Sequence, residues 1–385
     1  MEKIRKSLSN LFKYIIRKIF ILFNGKIITL DNKSNFSNIG IKKKNNNFLF
    51  YEINNGKVFT DNVQNVAVLK NNYLIKEASY QQHLGHYLSS KKNFVIKNGT
   101  PKFLKHYNGN TLSLVQGASG ENYFHWLFDI LPKLKIASEN ISLKNIDYYY
   151  LPEIKYNFQK QTLNKFKILE TQIINSNKRR YIKSKKLMIP EHPWFTSGYL
   201  QEKYNKMPRW IIQWLREKFI KKNKNKNKNK LNKYDYIFID RKDSSFNRSH
   251  ILNTPELFNT LKKYNFKKLI LSDKKFDEQV EIFNNCKIVI GAIGAGLANT
   301  VFCKKNTIII ELCPKKHENA KVYGRIASVN KLNYYKIVVK HDKYTNFIAP
   351  ISDILSILKK LPSEVFKNKI KMNKNNIYYK SIIIK

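Results

Sequence analysis

Residues 287–312 carry the pattern that decides the fold, and they read KIVIGAIGAGLANTVFCKKNTIIIEL. An apolar strand is predicted at Lys287–Gly291, followed by a glycine-rich turn, a helix that begins near Leu297 and a second apolar strand at Thr307–Leu312. Short, nearly continuous apolar runs of this kind are typical of strands that are buried on both faces of a parallel sheet. The segment therefore predicts a strand–helix–strand unit of an α/β domain.

The same alternation extends upstream of this segment. Strands are predicted at Tyr234–Asp240 and Lys267–Ser272, and a helix at Phe276–Asn285. Another helix is expected after the first of these strands, because Thr254 can cap its start and Pro255 suits its first position. Strands that alternate with helices imply βαβ units and a parallel sheet.

The N-terminal half is less regular. Residues 31–110 read as short β-like runs between Asn, Gly and Lys turns. A strand is predicted at Leu112–Val115, and a helix from about Tyr123, with Pro132 as a candidate interruption. Trp210–Ile220 also has helical periodicity.

A basic polar run, KKNKNKNKNK, occupies residues 221–230. It cannot enter a core, and its like charges repel one another. We therefore predict a linker or an exposed loop here. The resulting domain prediction is a basic amphipathic helix at 1–30, an N-terminal lobe at 31–220, a C-terminal lobe at 231–350, and a C-terminal tail or helix at 351–385.

The composition is strongly basic. The chain has 385 residues and a net charge of +45, and its hydrophobic share of 42% is too high for a disordered chain. The lysines are scattered, and Lys, Asn, Ile, Tyr and Phe all have A/T-rich codons, so codon bias can explain the charge without a binding surface. We expect no nucleic-acid partner, although anionic lipid, acidic glycan or a nucleotide phosphate would be attracted.

The N-terminus predicts an amphipathic helix. Apolar residues recur at helical spacing from Ile4 to Phe23, and basic residues fill the other faces. Because Lys13, Arg17 and Lys18 interrupt the apolar stretch, neither a signal peptide nor a transmembrane helix is expected. The helix can lie on an anionic membrane surface or pack on the core of the protein, and the sequence leaves both alternatives open.

Cysteine usage indicates a reducing compartment. Cys286, Cys303 and Cys313 are odd in number and form no CxxC pair. They are expected to be buried, reduced thiols. Together with the N-terminal helix, this predicts a cytoplasmic protein, with peripheral attachment to the inner face of the cytoplasmic membrane as a further expectation.

A candidate acid–base pair lies in the helix predicted from Tyr123. His125 and Asp129 share one helix face at a spacing of four residues. A carboxylate beside an imidazole raises its basicity and fixes its orientation, so the pair can take a proton from a hydroxyl nucleophile. The spacing is equally consistent with a structural salt bridge.

Candidate anion-binding residues lie at predicted strand ends. Arg241 and Arg248 follow the strand Tyr234–Asp240, and ligands of parallel sheets bind beyond the carboxyl ends of strands. Two arginines there can bind a pyrophosphate through bidentate hydrogen bonds, although they can also be ordinary surface arginines. The turn at Gly291–Asn299 offers unpaired N–H groups where a helix begins, but a tight turn without a ligand explains its spacing equally well.

Two further observations concern the nucleotide. Glu311 lies at the end of the predicted strand Thr307–Leu312, where a carboxylate can accept hydrogen bonds from ribose hydroxyls. No Asp-x-Asp occurs in the chain, so the usual carboxylate pair for a metal–nucleotide complex is missing. No metal ion and no cofactor are expected.

Taken together, these segments resemble glycosyltransferase family 61, whose members are often described as capsular polysaccharide biosynthesis proteins. The ordered set of matching segments extends over residues 112–314. The segments that carry the resemblance are Asn122–Pro132, Tyr236–Arg241, Arg248–Asn253, Phe276–Val280, Gly291–Asn299 and Ile309–Leu312.

The resemblance implies a GT-B architecture, in which two Rossmann-like lobes face each other across a cleft. The lobe at 31–220 would then be the acceptor side, and the lobe at 231–350 would bind the nucleotide sugar. It implies an inverting, metal-independent bacterial enzyme that moves a sugar from a nucleotide-sugar donor to a hydroxyl of a surface polysaccharide or lipid-linked glycan. His125 and Asp129 would lie near the acceptor, and Glu311 near the donor ribose. The residues that would hold the donor are Arg241, Arg248, Gly294, Ala295, Gly296 and Asn299.

One position departs from the family pattern. Family members often have histidine before Gly-Ala-Gly-Leu, and this chain has Ile293 there. Either Arg241 and the helix N-terminus suffice to hold the donor, or the activity is altered or lost.

The alternative function is a non-catalytic basic protein that binds anionic glycan or nucleic acid. Such a protein would tolerate the loss of Arg241, of Arg248 or of the Gly294–Asn299 turn.

Overall fold

The computed structural model describes residues 2–31, 34, 36–45, 48–63, 65–83, 86–87, 93–98, 104–116, 120–194, 198–199, 204–221, 234–242, 249–361 and 380–382. The chain divides into two units, Met1–Lys203 and Tyr204–Lys385. Each has its own main sheet.

The first unit combines twelve described strands with helical segments that lie mostly between them. The strands are β1 Ile28–Leu30, β2 Ile41–Asn45, β3 Leu49–Thr60, β4 Val66–Lys70, β5 Tyr73–Ile75, β6 Gln82–His83, β7 His86–Tyr87, β8 Lys105–Ser113, β9 Tyr148–Leu151, β10 Ile173–Asn175, β11 Tyr181–Pro190 and β12 Gly198–Tyr199. The helices are α1 Glu2–Asn24, α2 Phe94–Asn98, α3 Tyr123–His125, a π-helical segment Trp126–Ile130, α4 Leu131–Ser138 and α5 Asn157–Lys165. Short 3₁₀ helices occur at Ser37–Ile39, Lys76–Ala78, Leu143–Asn145 and Glu170–Gln172.

The main sheet of the first unit is mixed. Its order is β1-β5-β4-β3-β11-β8-β9-β10, and β2 pairs with β3. The strands from β11 to β10 are parallel, whereas β2, β3, β4 and the β4–β5 pair run antiparallel. The two-residue connection Asn71–Asn72 explains part of this difference, because Asn71 adopts a left-handed φ of 53° and closes a hairpin between β4 and β5.

The second unit has a parallel sheet. Its strands are β13 Tyr236–Asp240, β14 Lys267–Ile270, β15 Ile288–Ala292, β16 Ile308–Pro314, β17 Asn333–Val339 and β18 Lys380–Ile382. Its helices are α6 Arg209–Phe219, α7 Thr254–Lys262, α8 Phe276–Asn285, α9 Val322–Asn330 and α10 Ile351–Lys360, with 3₁₀ helices at Leu271–Asp273, Ala295–Phe302 and Lys315–His317. All the pairings between its described strands are parallel, in the order β14-β13-β15-β16-β17-β18. The α/β prediction is thus confirmed.

Helices cover both faces of this sheet. On one face, Leu257 of α7 and Ile354 of α10 share a buried cluster with Phe238 of β13. A second layer forms where the ring of Phe276 in α8 packs against the rings of Phe219 in α6 and of Phe302. The distances between ring centres are 4.9 Å and 5.9 Å, respectively. This two-sided cover explains why the strands read as unbroken apolar runs.

The connection order creates a switch point in the sheet. From β13 the chain passes to β14 on one side, and it then returns to β15 on the other side of β13. In open α/β sheets, ligands bind beyond the carboxyl ends of the two strands that flank such a point. Those ends are Asp240 in β13 and Ala292 in β15.

The boundary between the units differs from the predicted one. Helix α6 lies in the second unit, where the Arg216 guanidinium donates hydrogen bonds to the carbonyls of Val301 and Cys303 at 2.7 and 2.6 Å. These contacts span more than 80 residues, so local sequence could not reveal them. The chain therefore divides at Lys203 rather than at 221–230, and residues 222–230 of the predicted linker lie outside the described residues.

Helix α1 has the predicted amphipathic form, and its apolar stripe is exposed. Ile4 and Leu8 are 65% and 61% exposed, and Leu22 and Phe23 are each 81% exposed. The described part of the unit therefore does not bury this stripe in its core. Among the described residues, none of the helices combines the length and apolar character needed to cross a bilayer.

Candidate functional site

The predicted His125–Asp129 pair is present in the first unit. His125 Nδ1 lies 2.7 Å from Asp129 Oδ2, and the His125 side chain is 17% exposed whereas Asp129 is 3% exposed. Asn122 caps the helix, because its side chain accepts hydrogen bonds from the backbone N–H groups of Phe124 and His125. With an ionised, acceptor-only carboxylate, the proton lies on Nδ1 and Nε2 is the basic nitrogen of the neutral ring.

The helix continues through Pro132 by way of a π-helical turn. Proline has no N–H, so the carbonyl of Phe128, four residues earlier, loses its usual helical donor. Trp194 replaces that donor, since its indole Nε1 lies 3.1 Å from the Phe128 carbonyl oxygen and 2.8 Å from Asp129 Oδ1. One indole group thereby supports both the irregular turn and the carboxylate. Such π-turns occur frequently at functional sites.

Lys133 and His192 lie deeper in the same cluster. The Lys133 ammonium is fully buried and donates to the Val115 carbonyl at 3.3 Å. Burial lowers the pKa of Lys133 to about 7, although the negative charge of Asp129 acts in the opposite direction and raises it. Burial also holds the pKa of His192 well below its usual value, and the positive charges of Lys133 and His125 add to this effect.

The tautomer of His192 follows from its neighbours. The backbone N–H of Trp194 donates to His192 Nδ1 at 3.2 Å, so the proton of the neutral ring lies on Nε2. Nε2 lies 2.8 Å from the side-chain amide of Gln116. The amide oxygen of Gln116 is therefore assigned to face Nε2, because amide orientation is inferred from such networks.

Sequence reasoning missed Trp194, His192 and Lys133. Trp194 and His192 reach the site from more than 60 residues away in the chain, and no local spacing reveals such a contact. Lys133 did leave a signal in the sequence, because it is the next residue at a step of four after His125 and Asp129.

In the second unit, the structure brings Arg241 to the glycine-rich turn. Arg241 directly follows β13, and its guanidinium donates to the carbonyl of Ile293, directly after β15. A side chain at Gly294 would collide with this guanidinium. The two groups therefore meet across the switch point of the sheet. The contact uses the backbone of Ile293 and does not require the histidine that the family often has there.

Tyr323 holds the turn from the other side. Its hydroxyl donates to the Gly294 carbonyl at 2.5 Å, and the backbone N–H of Leu297 donates to the same oxygen at 3.0 Å. Burial raises the pKa of Tyr323, so its hydroxyl stays protonated and can donate. Ala295 and Gly296 then begin the 3₁₀ helix, where the first N–H groups lack partners within the helix.

A cavity opens beside Arg241 at the end of β13. Its volume is about 230 Å³, and Arg241, Lys242 and His250 form its basic side, while Phe238 and Ile251 supply apolar surface. The start of α7 also borders this cavity. Positive side chains and a helix N-terminus are the features that attract an anionic group.

Asn299 and Glu311 are both buried. Asn299 donates to Gln279 Oε1 at 3.0 Å and to the Gly296 carbonyl at 3.3 Å, which ties the turn to α8. Glu311 lies inside β16, not at its end, because the strand continues to Pro314.

The carboxyl of Glu311 takes part in internal contacts. It accepts a hydrogen bond from the Tyr334 hydroxyl, and its residue pairs in register with Gly291 and Lys336. Burial raises the pKa of Glu311. The remaining predicted donor residue, Arg248, lies outside the described residues.

The sequence was compared with models of known protein families, and one family model matches. The model of the family Glycosyltransferase 61 matches residues 123–310. On this match, residues 123–310 are assigned to glycosyltransferase family 61. The matched region begins at α3 and ends within β16, so it contains the His125–Asp129 pair, Arg241 and the glycine-rich turn. Membership supports glycosyltransferase activity, and it implies a sugar donor and an acceptor in general terms.

A comparison with curated proteins finds no matching relative. The family 61 assignment therefore gives the reaction class, and the two clusters give the chemistry that is available to it. Within the ranges that the structure describes, no group of three or more His, Cys, Asp and Glu side chains is arranged to hold a metal ion.

Proposed function

We propose that this family 61 glycosyltransferase is an inverting, metal-independent enzyme that transfers a sugar from a nucleotide-sugar donor to a hydroxyl of a surface polysaccharide or lipid-linked glycan. The observation that carries the proposal is the meeting of Arg241 with the Ile293–Gly294 turn at the switch point of a parallel sheet. That is where an α/β sheet binds phosphates.

The donor diphosphate would be held by fixed positive charge. Arg241 can bind two phosphate oxygens at once, and Lys242 and His250 line the same cavity. The N–H groups of Ala295 and Gly296 add dipoles that need no reorganisation as charge develops on the leaving group. Glu311 and Asn299 would act indirectly, by holding β16 and the turn in place.

The acceptor would be activated by His125. In this role Nε2 takes the proton of the acceptor hydroxyl, and Asp129 stabilises the imidazolium that forms. The acceptor oxygen would bond to the anomeric carbon as the bond from that carbon to the diphosphate oxygen breaks and the nucleoside diphosphate leaves with the electron pair, and this single displacement would invert the anomeric configuration. We extend the proposal to a GT-B arrangement, in which the unit that contains His125 supplies the acceptor side and the unit that contains Arg241 supplies the donor side.

A panel of nucleotide sugars tests this function. Purified full-length protein is incubated with each donor, and the release of nucleoside diphosphate and the thermal shift are recorded. We expect one or a few donors to stabilise the protein and to be turned over. Binding without turnover that falls steeply with added salt would instead favour the basic binding protein, because bulk charge gives such a salt dependence.

Metal independence gives a separate prediction. Treatment with EDTA is expected to leave the rate of transfer unchanged to within about twofold, because Arg241, Lys242 and the turn amides would meet the diphosphate charge. The rate is measured with and without chelator on the same preparation. Loss of activity that Mn²⁺ restores would contradict this part of the proposal.

We further propose that α1 attaches the protein to an anionic membrane surface, on the cytoplasmic face. Its exposed stripe, which includes Leu8 and Leu22, can enter the boundary between headgroups and acyl chains. Lys3, Lys6 and Lys13 lie on other faces of the helix, and attraction to anionic lipid contributes about 1 kcal/mol per basic residue near the surface. A lipid-linked acceptor would then be close to the enzyme.

Deletion of residues 1–23 is therefore expected to release the protein from anionic vesicles without abolishing transfer to a soluble acceptor. Co-sedimentation with anionic and neutral vesicles measures this, and the full-length variant Leu11→Glu gives a matched control for the apolar stripe. Equal sedimentation of the wild type and both variants, or a truncated protein that no longer folds, would instead show that the helix packs on the protein.

A further inference from the structure

We propose that Trp194 is a positioning residue for the His125–Asp129 pair, and that its indole N–H fixes the carboxylate that orients the imidazole. The inference rests on the proposed role of His125 as the base. Its basis is a pair of direct contacts, because His125 Nδ1 lies 2.7 Å from Asp129 Oδ2 and Trp194 Nε1 donates to Asp129 Oδ1 at 2.8 Å. One carboxylate thereby joins the imidazole to a side chain 65 residues further along the chain.

A single hydrogen bond does not fix a carboxylate. The terminal torsion of an aspartate side chain is broad, so a carboxylate bonded only to His125 can rotate, and the imidazole can turn with it. The second bond reaches the other oxygen of Asp129 from outside the helix and fixes the carboxylate plane. Both oxygens then face N–H donors, which suits the ionised, acceptor-only form. Nε2 of His125 is thereby held in one direction, as proton transfer from a bound hydroxyl requires.

The segment that carries Trp194 is itself tied to the sheet. It directly follows β11, and the backbone N–H of Glu191 donates to the Leu49 carbonyl of β3 at 2.8 Å. The backbone N–H of His192 donates to the Tyr80 hydroxyl at 2.9 Å, and that of Trp194 donates to His192 Nδ1 at 3.2 Å. The position of the indole is therefore set by the sheet and not by the helix that it contacts.

The indole also has a structural contact. Trp194 Nε1 lies 3.1 Å from the carbonyl oxygen of Phe128, which Pro132 leaves without its helical donor. The bond to Asp129 is the shorter of the two, at 2.8 Å, and its acceptor is charged. Hydrogen bonds to ionised acceptors are stronger than those between neutral groups. The geometry thus favours the carboxylate as the main partner, and the positioning role and the structural role predict different results.

The first test is Trp194→Phe, which removes the indole N–H and keeps an aromatic ring. We expect kcat to fall by between about 10-fold and 10²-fold, the cost of losing the contacts that orient a working group. The KM for the donor should stay within about twofold of the wild-type value, because an effect on kcat alone marks an interaction that acts in the transition state. An unchanged kcat would overturn the proposal.

The matched control is Trp126→Phe. This variant removes another indole N–H bond of 2.8 Å, to Thr162 Oγ1, from the same helical segment. We expect its melting temperature to fall and its kcat to stay near that of the wild type. If both variants lose kcat equally, the loss comes from weakened packing of the segment, and the proposal is overturned.

A double-mutant cycle with Asp129→Ala separates positioning from structural support. If Trp194 acts through the carboxylate, Trp194→Phe should cost less than about twofold in the single-turnover rate once residue 129 is alanine, because the two losses then have one cause. If the indole acts by supporting the Phe128 carbonyl, Trp194→Phe should cost as much in that background as in the wild type. Such additivity would overturn the proposal.

A measurement without turnover separates this inference from the proposed function. In full-length protein with ¹⁵N-labelled tryptophan, Asp129→Ala should shift the indole signal of Trp194 by more than that of Trp126. With ¹⁵N-labelled histidine, Trp194→Phe should speed the exchange of the His125 Nδ1 proton with water. The absence of either change overturns the inference. If His125 proves unnecessary for transfer while both changes are present, the failure lies in the proposed role of His125.

Discussion

Replacing His125 with glutamine is expected to lower kcat/KM for sugar transfer by about 10²–10⁴-fold, the contribution of a positioned general base. Glutamine can still donate a hydrogen bond to Asp129, so the helix should fold, but it cannot take the proton of the acceptor. Initial rates with a soluble acceptor measure the effect.

The control for this variant is His106→Gln, which changes an exposed histidine on β8 in the same unit. We expect its rate to match that of the wild type. If His125→Gln keeps more than half of the wild-type rate, His125 is not the base, and the His125–Asp129 pair is a structural salt bridge.

Arg241→Ala is expected to weaken the binding of a nucleoside diphosphate by about 1.5–3 kcal/mol, the range for hydrogen bonds to a charged group. Arg241→Lys should fall between the variant and the wild type, because lysine keeps the charge but not the two-pronged geometry. Calorimetry gives the affinities. Melting temperatures monitor the loss of the bond to the Ile293 carbonyl.

Arg209→Ala serves as the charge-matched control, since Arg209 is exposed at the start of α6 in the same unit. It removes one positive charge without touching the switch point. An equal loss of affinity in both variants would show that bulk charge binds the nucleotide. Unchanged affinity in Arg241→Ala would remove Arg241 from the donor site.

The parallel sheet was predictable because its signals are local. The strand Ile288–Ala292, the glycine-rich turn and the strand that begins at Ile308 are adjacent in the chain, and their apolar runs stand out from the basic background. Arg241 was found for the same reason, as a charged residue directly after an apolar strand. The predicted ends of these strands differ from the observed ends by only one or two residues.

The positions that sequence reasoning placed wrongly depend on distant partners. Glu311 seemed to end a strand, but pairing of β16 with β17 carries the strand to Pro314, and the hydroxyl that binds its carboxyl comes from Tyr334. The sequence prediction placed helix α6 in the N-terminal lobe. In the structure, the Arg216 guanidinium of α6 donates a hydrogen bond to the Val301 carbonyl in the second unit. In both cases the deciding contact joins residues more than 20 positions apart.

The central claim, that the nucleotide donor binds where Arg241 meets the glycine-rich turn, is tested most directly by a crystal structure with a bound nucleoside diphosphate. We expect phosphate oxygens within hydrogen-bonding distance of the Arg241 guanidinium and of the N–H groups of Ala295 or Gly296. A diphosphate bound elsewhere on the protein, with no phosphate oxygen in contact with Arg241, would contradict the claim.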